Sequence, residues 1–253
     1  MGPTTRTVRP QPAPLERPAF YALRPGGWRD LVTVLHAPYT AWNLSNVAIG
    51  ASLAPHLYVG RLLAALAAFF LAVGVSAHVL DELHGRPLGT TLSSRFLIAL
   101  AIVSLAGAAA IGAVVAVTVS LTLIPFIVAG VFIVLAYNLE WFGGRFHTTF
   151  WLAMSWGVFP VVTSYWINAL EIRPGPLLAA AGCGLLLVAQ RTLSTPVREL
   201  RRRTVAVTGE QRLTDGSTVS LDAAMLAAPM ERALQACALA MVLLATGLVL
   251  TRV

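Results

Sequence analysis

An all-α, polytopic transmembrane bundle of about seven helices is the fold class that this sequence predicts. Three observations carry it. Across 253 residues, 57% are hydrophobic and only 11% charged, with a mean hydropathy of +0.75, which is too apolar for an ordinary solvated surface. The apolar residues fall in runs long enough to cross a hydrocarbon core of about 30 Å as helices. The cations, finally, are spread unevenly between the segments that join those runs.

Residues 1–27 hold six prolines and no apolar period, and predict a disordered cytoplasmic arm ahead of a transmembrane domain over 28–253. No apolar h-region precedes residue 30, so no cleaved signal peptide is expected. The stretch GGWRDLVTVLHAP places Trp28 beside Arg29 and Asp30 and then turns apolar, as an interfacial helix does before a kink at Pro38. The apolar runs cover about residues 38–58, 60–80, 95–119, 121–142, 148–170, 175–193 and 233–251. Small residues three or four apart, as around Gly74 and from Ala106 to Ala113, let such helices approach closely. Cys183 and Cys237 lie inside apolar helices and read as packing residues. The segment RRRTVAVTGEQRLTDGSTVSLD alternates at period two around Asp215-Gly216. It predicts a small cytosolic β-hairpin within a polar loop over about 194–222, acting as a connector or as a lid.

Every cation is arginine. With the N-terminus cytoplasmic, fifteen arginines fall on the inner side and only Arg61, Arg173 and Arg252 outside, so the expected orientation is N-terminus in and C-terminus out. The plasma (inner) membrane of a bacterium is the expected location. The net charge of +7 then belongs mostly to segments facing anionic headgroups, and nucleic acid is not an expected partner.

The inner ends of the runs concentrate ionisable residues. His78, Asp81, Glu82 and His84 close the second run, and Glu140 and His147 flank the break between the fourth and fifth. His78, Asp81 and Glu82 stand at i, i+3 and i+4, sharing one helix face. Imidazole and carboxylate at that spacing can hold a metal ion, as Glu-x-x-His pairs do in bundles. Tyr137 and Asn138 place hydrogen-bonding groups beside Glu140. Arg86, Arg145, Arg191 and Arg201 to Arg203 have forks suited to phosphate oxygens, although topology also explains them. His36 and His56 read as interfacial. Trp151, Trp156, Tyr165 and Trp166 suit either a cation-shielding site or a membrane belt.

The order of these features resembles the UbiA superfamily of membrane prenyltransferases over roughly residues 36–195. HAPYTAWNLSNVAIGASLAP is similar to that family's first helix with its early asparagine, here Asn43. HVLDELHGRPLGTTLS resembles its aspartate-rich NDxxD segment followed by Arg86, Pro87 and Leu88, and Tyr137 and Arg145 stand where the family has a tyrosine and a basic residue. The resemblance implies a nine-helix fold in which two aspartate motifs hold magnesium on a prenyl diphosphate. Here Asp81 matches the second aspartate, Ala77 and His78 replace the asparagine and first aspartate, and the second motif is QRTLSTPVRELRRR with Glu199 its only acid.

Histidines in place of aspartates favour a transition metal, iron or zinc over magnesium. The expected function is therefore a membrane enzyme with a cytoplasm-facing divalent metal site acting on an isoprenoid or other lipid substrate. Asp81, Glu82 and Glu140 are its candidate catalytic acids and bases. The expected ligands are His78, Asp81, Glu82, His84, Glu140 and His147, and Asn43, Arg86, Tyr137, Asn138 and Arg145 are the expected substrate contacts. Two rival expectations stand beside it: a magnesium-dependent prenyltransferase or terpene cyclase, and a non-catalytic membrane protein docking a partner through the basic 191–212 loop.

Overall fold

The computed structural model describes residues 17–253. Two short helices, α1 (Trp28–Val34) and α2 (Ala37–Ser52), come first. Six longer ones follow: α3 (Val59–Leu83), α4 (Ser94–Thr118), α5 (Leu121–Asn138), α6 (Thr149–Ala169), α7 (Pro174–Arg202) and α8 (Ala223–Leu250). All six are long and apolar enough to cross a membrane. Their outward side chains suit lipid: Val117 is 78% exposed and Leu178 74%.

The first crossing expected over 38–58 is a sixteen-residue helix instead, about 24 Å long, and it stops before Pro55. It packs between α6 and α8. Its composition explains the placement, since Asn43, Ser45, Asn46 and Ser52 are all buried and would be costly against lipid. Asn43 Nδ2 donates to the Tyr39 carbonyl at 3.0 Å, Ser45 Oγ to Ala41 at 2.8 Å and Ser52 Oγ to Ala48 at 2.8 Å. Asn46 Nδ2 reaches out of the helix to the Trp156 carbonyl at 3.0 Å. His36, rather than Pro38, makes the break between α1 and α2, with a left-handed φ of 45°, and Pro38 sits in the first turn of α2, where its missing N–H is harmless.

Glycines set two of the closest helix approaches. A Cβ on Gly50 would stand 2.2 Å from the Val161 carbonyl oxygen on α6, and one on Gly157 2.7 Å from Gly184 Cα on α7. Within the shared core Val73, Val134, Trp156, Val161 and Leu187 meet from α3, α5, α6 and α7.

The inner ends depart most from expectation. α7 does not stop near residue 193 but runs to Arg202, and α8 starts at Ala223, capped by Asp222, whose Oδ1 accepts from Met225 N at 2.7 Å. The basic 191–212 stretch is thus mostly helix, and the connection expected over 194–222 shrinks to 203–222. Hydropathy ends where water begins, but these helices continue past that level because Arg201 and Glu231 pair between them, Nη2 to Oε2 at 2.9 Å with a second contact through Nε. The hairpin forms as expected, β1 (Gly209–Arg212) antiparallel to β2 (Thr218–Leu221), Gly209 opposite Leu221. α5 ends at Asn138 rather than 142, because Glu140, Phe142, Gly143 and Gly144 all take positive φ.

Of the expected disordered arm, residues 1–16 lie outside the described residues. Residues 17–27 are held on the bundle: Ala19 and Ala22 are buried against Leu88, Leu23 N donates to Thr33 Oγ1 at 3.0 Å, and Arg201 and Arg202 donate to the carbonyls of Arg17 and Pro18 at 3.0 and 3.1 Å. Proline-rich composition hid these backbone contacts.

Gly50→Ala should lower stability by about 1–3 kcal/mol through overpacking at the α2–α6 contact, whereas Gly182→Ala, which meets nothing within 4 Å, should not. Thermal unfolding of both variants in detergent checks this.

Candidate functional site

A polar cavity of about 210 Å³ opens among α2, α3, α5, α6 and α7. Of the residues singled out from sequence, Asn43, His78, Asp81, Tyr137, Asn138 and His147 line it. The ends of α3, α5 and α6 that carry or adjoin these residues therefore do converge.

Other expected members do not join them. Glu82 is fully buried, but its carboxylate accepts from Leu88 N at 2.9 Å, Thr90 N at 2.9 Å and Thr90 Oγ1 at 2.8 Å, so its lone pairs are taken up in holding the 84–93 turn. Asp30 does the same from the other side, accepting from Gly26 N at 2.9 Å, Thr91 N at 2.8 Å and Thr91 Oγ1 at 2.6 Å. Burial by itself would raise the Asp30 pKa. The hydrogen bonds from Thr91 and Gly26 outweigh it and hold the carboxyl below its usual range. Arg86, at a left-handed φ of 53°, donates to the Leu92 carbonyl at 2.6 Å and to Ser94 Oγ at 2.9 Å, serving the same turn rather than a substrate. His84, Glu140 and Arg145 are exposed and outside the cavity wall. Glu140 lies 3.9 Å from His147 Nδ1. Among the described residues no three His, Cys, Asp or Glu side chains come together as a metal-holding group. Helix-face spacing placed Glu82 with His78, but the turn after α3 folds back and claims it.

Tyr21, Gln190 and Arg198, which the sequence did not single out, complete the wall with His36, expected to be interfacial, and with Arg191 and Arg202, whose forks were expected to suit phosphate. His36 stacks on His78, ring centroids 4.3 Å apart and planes 11° from parallel. Tyr21 Oη lies 2.9 Å from His36 Nδ1. Burial, with Tyr39 adding to it, pushes the Tyr21 phenol up, so it keeps its proton. His36 Nε2 is a buried atom without a hydrogen-bond partner among the described residues. Burial, then the neighbouring His78, Arg202 and Arg198, hold the His36 pKa well below the usual histidine value, so this ring is neutral at physiological pH. His78 Nδ1 faces the Gly74 carbonyl at 3.2 Å and His147 Nδ1 the Tyr137 carbonyl at 3.1 Å. A carbonyl only accepts, which assigns the proton of both rings to Nδ1 and leaves each Nε2 lone pair available.

Gln190, Arg191, Arg198 and Arg202 bring α7 into the same wall. Their spacing of i, i+1, i+8 and i+12 keeps them on one side of the helix, a signal that a helix ending at 193 concealed. Residues 18–21 lie over the arginine end.

A second cavity of about 100 Å³ adjoins the first among α3, α4, α5 and α6. Its only polar lining residue is Thr163, and Ala64, Ala68, Ala109, Gly112 and Gly130 keep it open. Val73 and Trp156 line both cavities. Each comes from a π-helical segment, Phe70–Ala77 in α3 and Ala153–Val158 in α6, and such wide turns commonly mark functional positions in membrane and soluble helices alike.

Comparison of the chain with protein-family models, curated proteins and solved structures gives no match.

Glu82→Ala would strand three buried donors, so it should destabilise the fold by about 1–3 kcal/mol or more and open the 84–93 turn to limited proteolysis. The Asp30 staple has a definite acid dependence. Because its folded pKa is lowered, its stabilisation is complete above the ordinary aspartate value of about 3.9 and fades as pH falls through the folded value. Unfolding curves between pH 6 and 3 should therefore be flatter for Asp30→Asn than for the native chain.

Proposed function

We propose that the protein is a membrane enzyme of UbiA-like architecture that acts on an isoprenoid or other lipid with an anionic head, seated across the two cavities. One observation carries this reading: Val73 and Trp156 form a wall common to a polar, arginine-bearing chamber and an apolar one. A molecule filling both would itself have a charged end and a hydrocarbon end. From Trp156 to Ile167 the apolar chamber follows α6 for about 16 Å, a length suited to a chain rather than a compact ring system. The arginine asymmetry between the two membrane faces supports an inward, cytoplasmic opening for the polar chamber.

In this reading Asp81 and His78, one turn apart on α3, and His147 on the facing side supply the groups that can move a proton at the head. His78 and His147 each present an Nε2 lone pair, while Asn43 and Asn138 add amide groups to the wall. Trp42, Trp156 and Tyr137 offer aromatic faces to the first atoms of the chain.

The UbiA resemblance also implies magnesium, and the ligand spacing implied iron or zinc. The residues present do not fit either ion. Among the described residues Asp81 is the only carboxylate lining the polar cavity, Glu82 accepts three hydrogen bonds from the 84–93 turn, and His84 and Glu140 stand outside. No step of the proposal passes through a metal. Of the basic stretch in the partner-docking alternative, Arg191, Arg198 and Arg202 belong to a helix and line a cavity, while Arg203 and Arg212 are exposed.

Native mass spectrometry of the full chain, released from nanodiscs containing geranylgeranyl phosphate, tests the reading. The expected result is one retained lipid per chain. Val73→Trp, which fills the common wall, should reduce retention by about tenfold, as expected when a site loses its shape and apolar contact. Val117→Trp on the lipid-facing surface should leave it unchanged. Equal retention by both variants, or none by the native chain, sinks the proposal.

A further inference from the structure

We infer that Arg191, Arg198 and Arg202 hold the anionic head directly, as a metal-free guanidinium cradle taking a phosphate group. This rests on the two-chamber reading above. The three residues stand at i, i+7 and i+11 on α7, which places them on one helix face over a rise of about 16 Å, and all three line the polar cavity.

Their hydrogen-bond accounts are nearly empty. A guanidinium has five N–H donors. Arg191 commits one to Tyr137 Oη at 3.0 Å, Arg198 one to Thr195 Oγ1 at 3.3 Å and Arg202 one to the Pro18 carbonyl at 3.1 Å. Among the described residues none of the three is within ion-pair distance of a carboxylate. Arg201, on the same helix, shows the contrast: it points toward α8 and is fully paired with Glu231.

Arg191 and Arg202 are half-buried in the wall, where a guanidinium without a counter-anion is unfavourable. Among the described residues the single carboxylate in the wall, Asp81, leaves the chamber with two net positive charges when its histidines are neutral. A phosphate monoester at neutral pH carries about −1.5 to −2, which matches that excess. The same excess repels a divalent cation. Planar forks also bind phosphate oxygens in pairs, giving orientation as well as attraction. In the segment where the family resemblance places a second aspartate motif, α7 thus offers charge of the opposite sign, and the anion meets the protein without a bridging ion.

Equilibrium binding to the full chain in nanodiscs, after treatment with EDTA, tests the cradle with three probes: geranylgeranyl phosphate, inorganic phosphate and geranylgeraniol. Geranylgeranyl phosphate should bind equally well in EDTA and in excess Mg²⁺ or Zn²⁺. Its affinity should fall about tenfold in Arg198→Gln and further in Arg191→Gln/Arg198→Gln, the loss expected for charge-assisted hydrogen bonds, while geranylgeraniol binding stays constant. Arg198 is exposed and bonded only within its own helix, so its variant should fold, and an unchanged melting temperature verifies that. Binding that requires a divalent ion, or glutamine variants as tight as the native chain, overturns the cradle while leaving the lipid reading intact. Geranylgeraniol binding as tightly as its phosphate does the same. Inorganic phosphate displacing the lipid probe at comparable concentration assigns the cradle to free phosphate, keeping the arginines and removing the lipid reading.

Discussion

A helix rich in asparagine, serine and threonine has no stable place against hydrocarbon, and in this chain that helix is α2. Surrounding it with apolar helices solves the problem, and much of the architecture follows from the enclosure. Gly50 lets α6 come within backbone contact of it, and Asn46 ties it to the Trp156 carbonyl. The short α1 and the 17–27 segment close one end, with His36 turning the chain between α1 and α2. The longer helices then present their apolar faces outward, as a membrane requires.

Enclosing a polar helix also creates polar space. Where α2 faces α3, α5 and α7 the side chains cannot all meet one another, and the polar cavity is the result. The two π-helical segments widen this region and bring Val73 and Trp156 to the boundary with the apolar chamber. Helices carry most residues of the wall, and the exposed hairpin contributes none. A site built this way holds its geometry without a loop closing over it, apart from the strap at residues 18–21.

The acidic residues divide by role. Glu82 and Asp30 are spent on backbone amides and threonine hydroxyls of the 84–93 turn, a use that buried carboxylates perform well because several donors converge on one charge. Asp81, one residue before Glu82, points to the opposite side and is left as the carboxylate of the cavity. Adjacent residues on a helix diverge by about 100°, which is enough to send two neighbouring acids to different tasks. The arginines of α7 divide in the same way, Arg201 toward Glu231 and Arg198 and Arg202 toward the chamber.

Composition and hydropathy by themselves determined that the chain is a helical membrane-type bundle, where most long helices run, and that a hairpin turns at Asp215-Gly216. These follow from local physics: apolar length, turn chemistry and period. They also determined that His78, Asp81, Tyr137, Asn138 and His147 gather, because all sit at matching ends of consecutive antiparallel helices. The tertiary structure alone decided that α2 is short and central, that α7 continues to Arg202 and that Glu82 leaves the site. It alone brought His36, Tyr21 and Arg198 to the cavity. Each of those outcomes depends on a partner outside the helix concerned, Glu231 for Arg201, Thr90 in the following turn for Glu82, His78 for His36, and no periodicity along one helix encodes which outside group will satisfy a buried charge or ring.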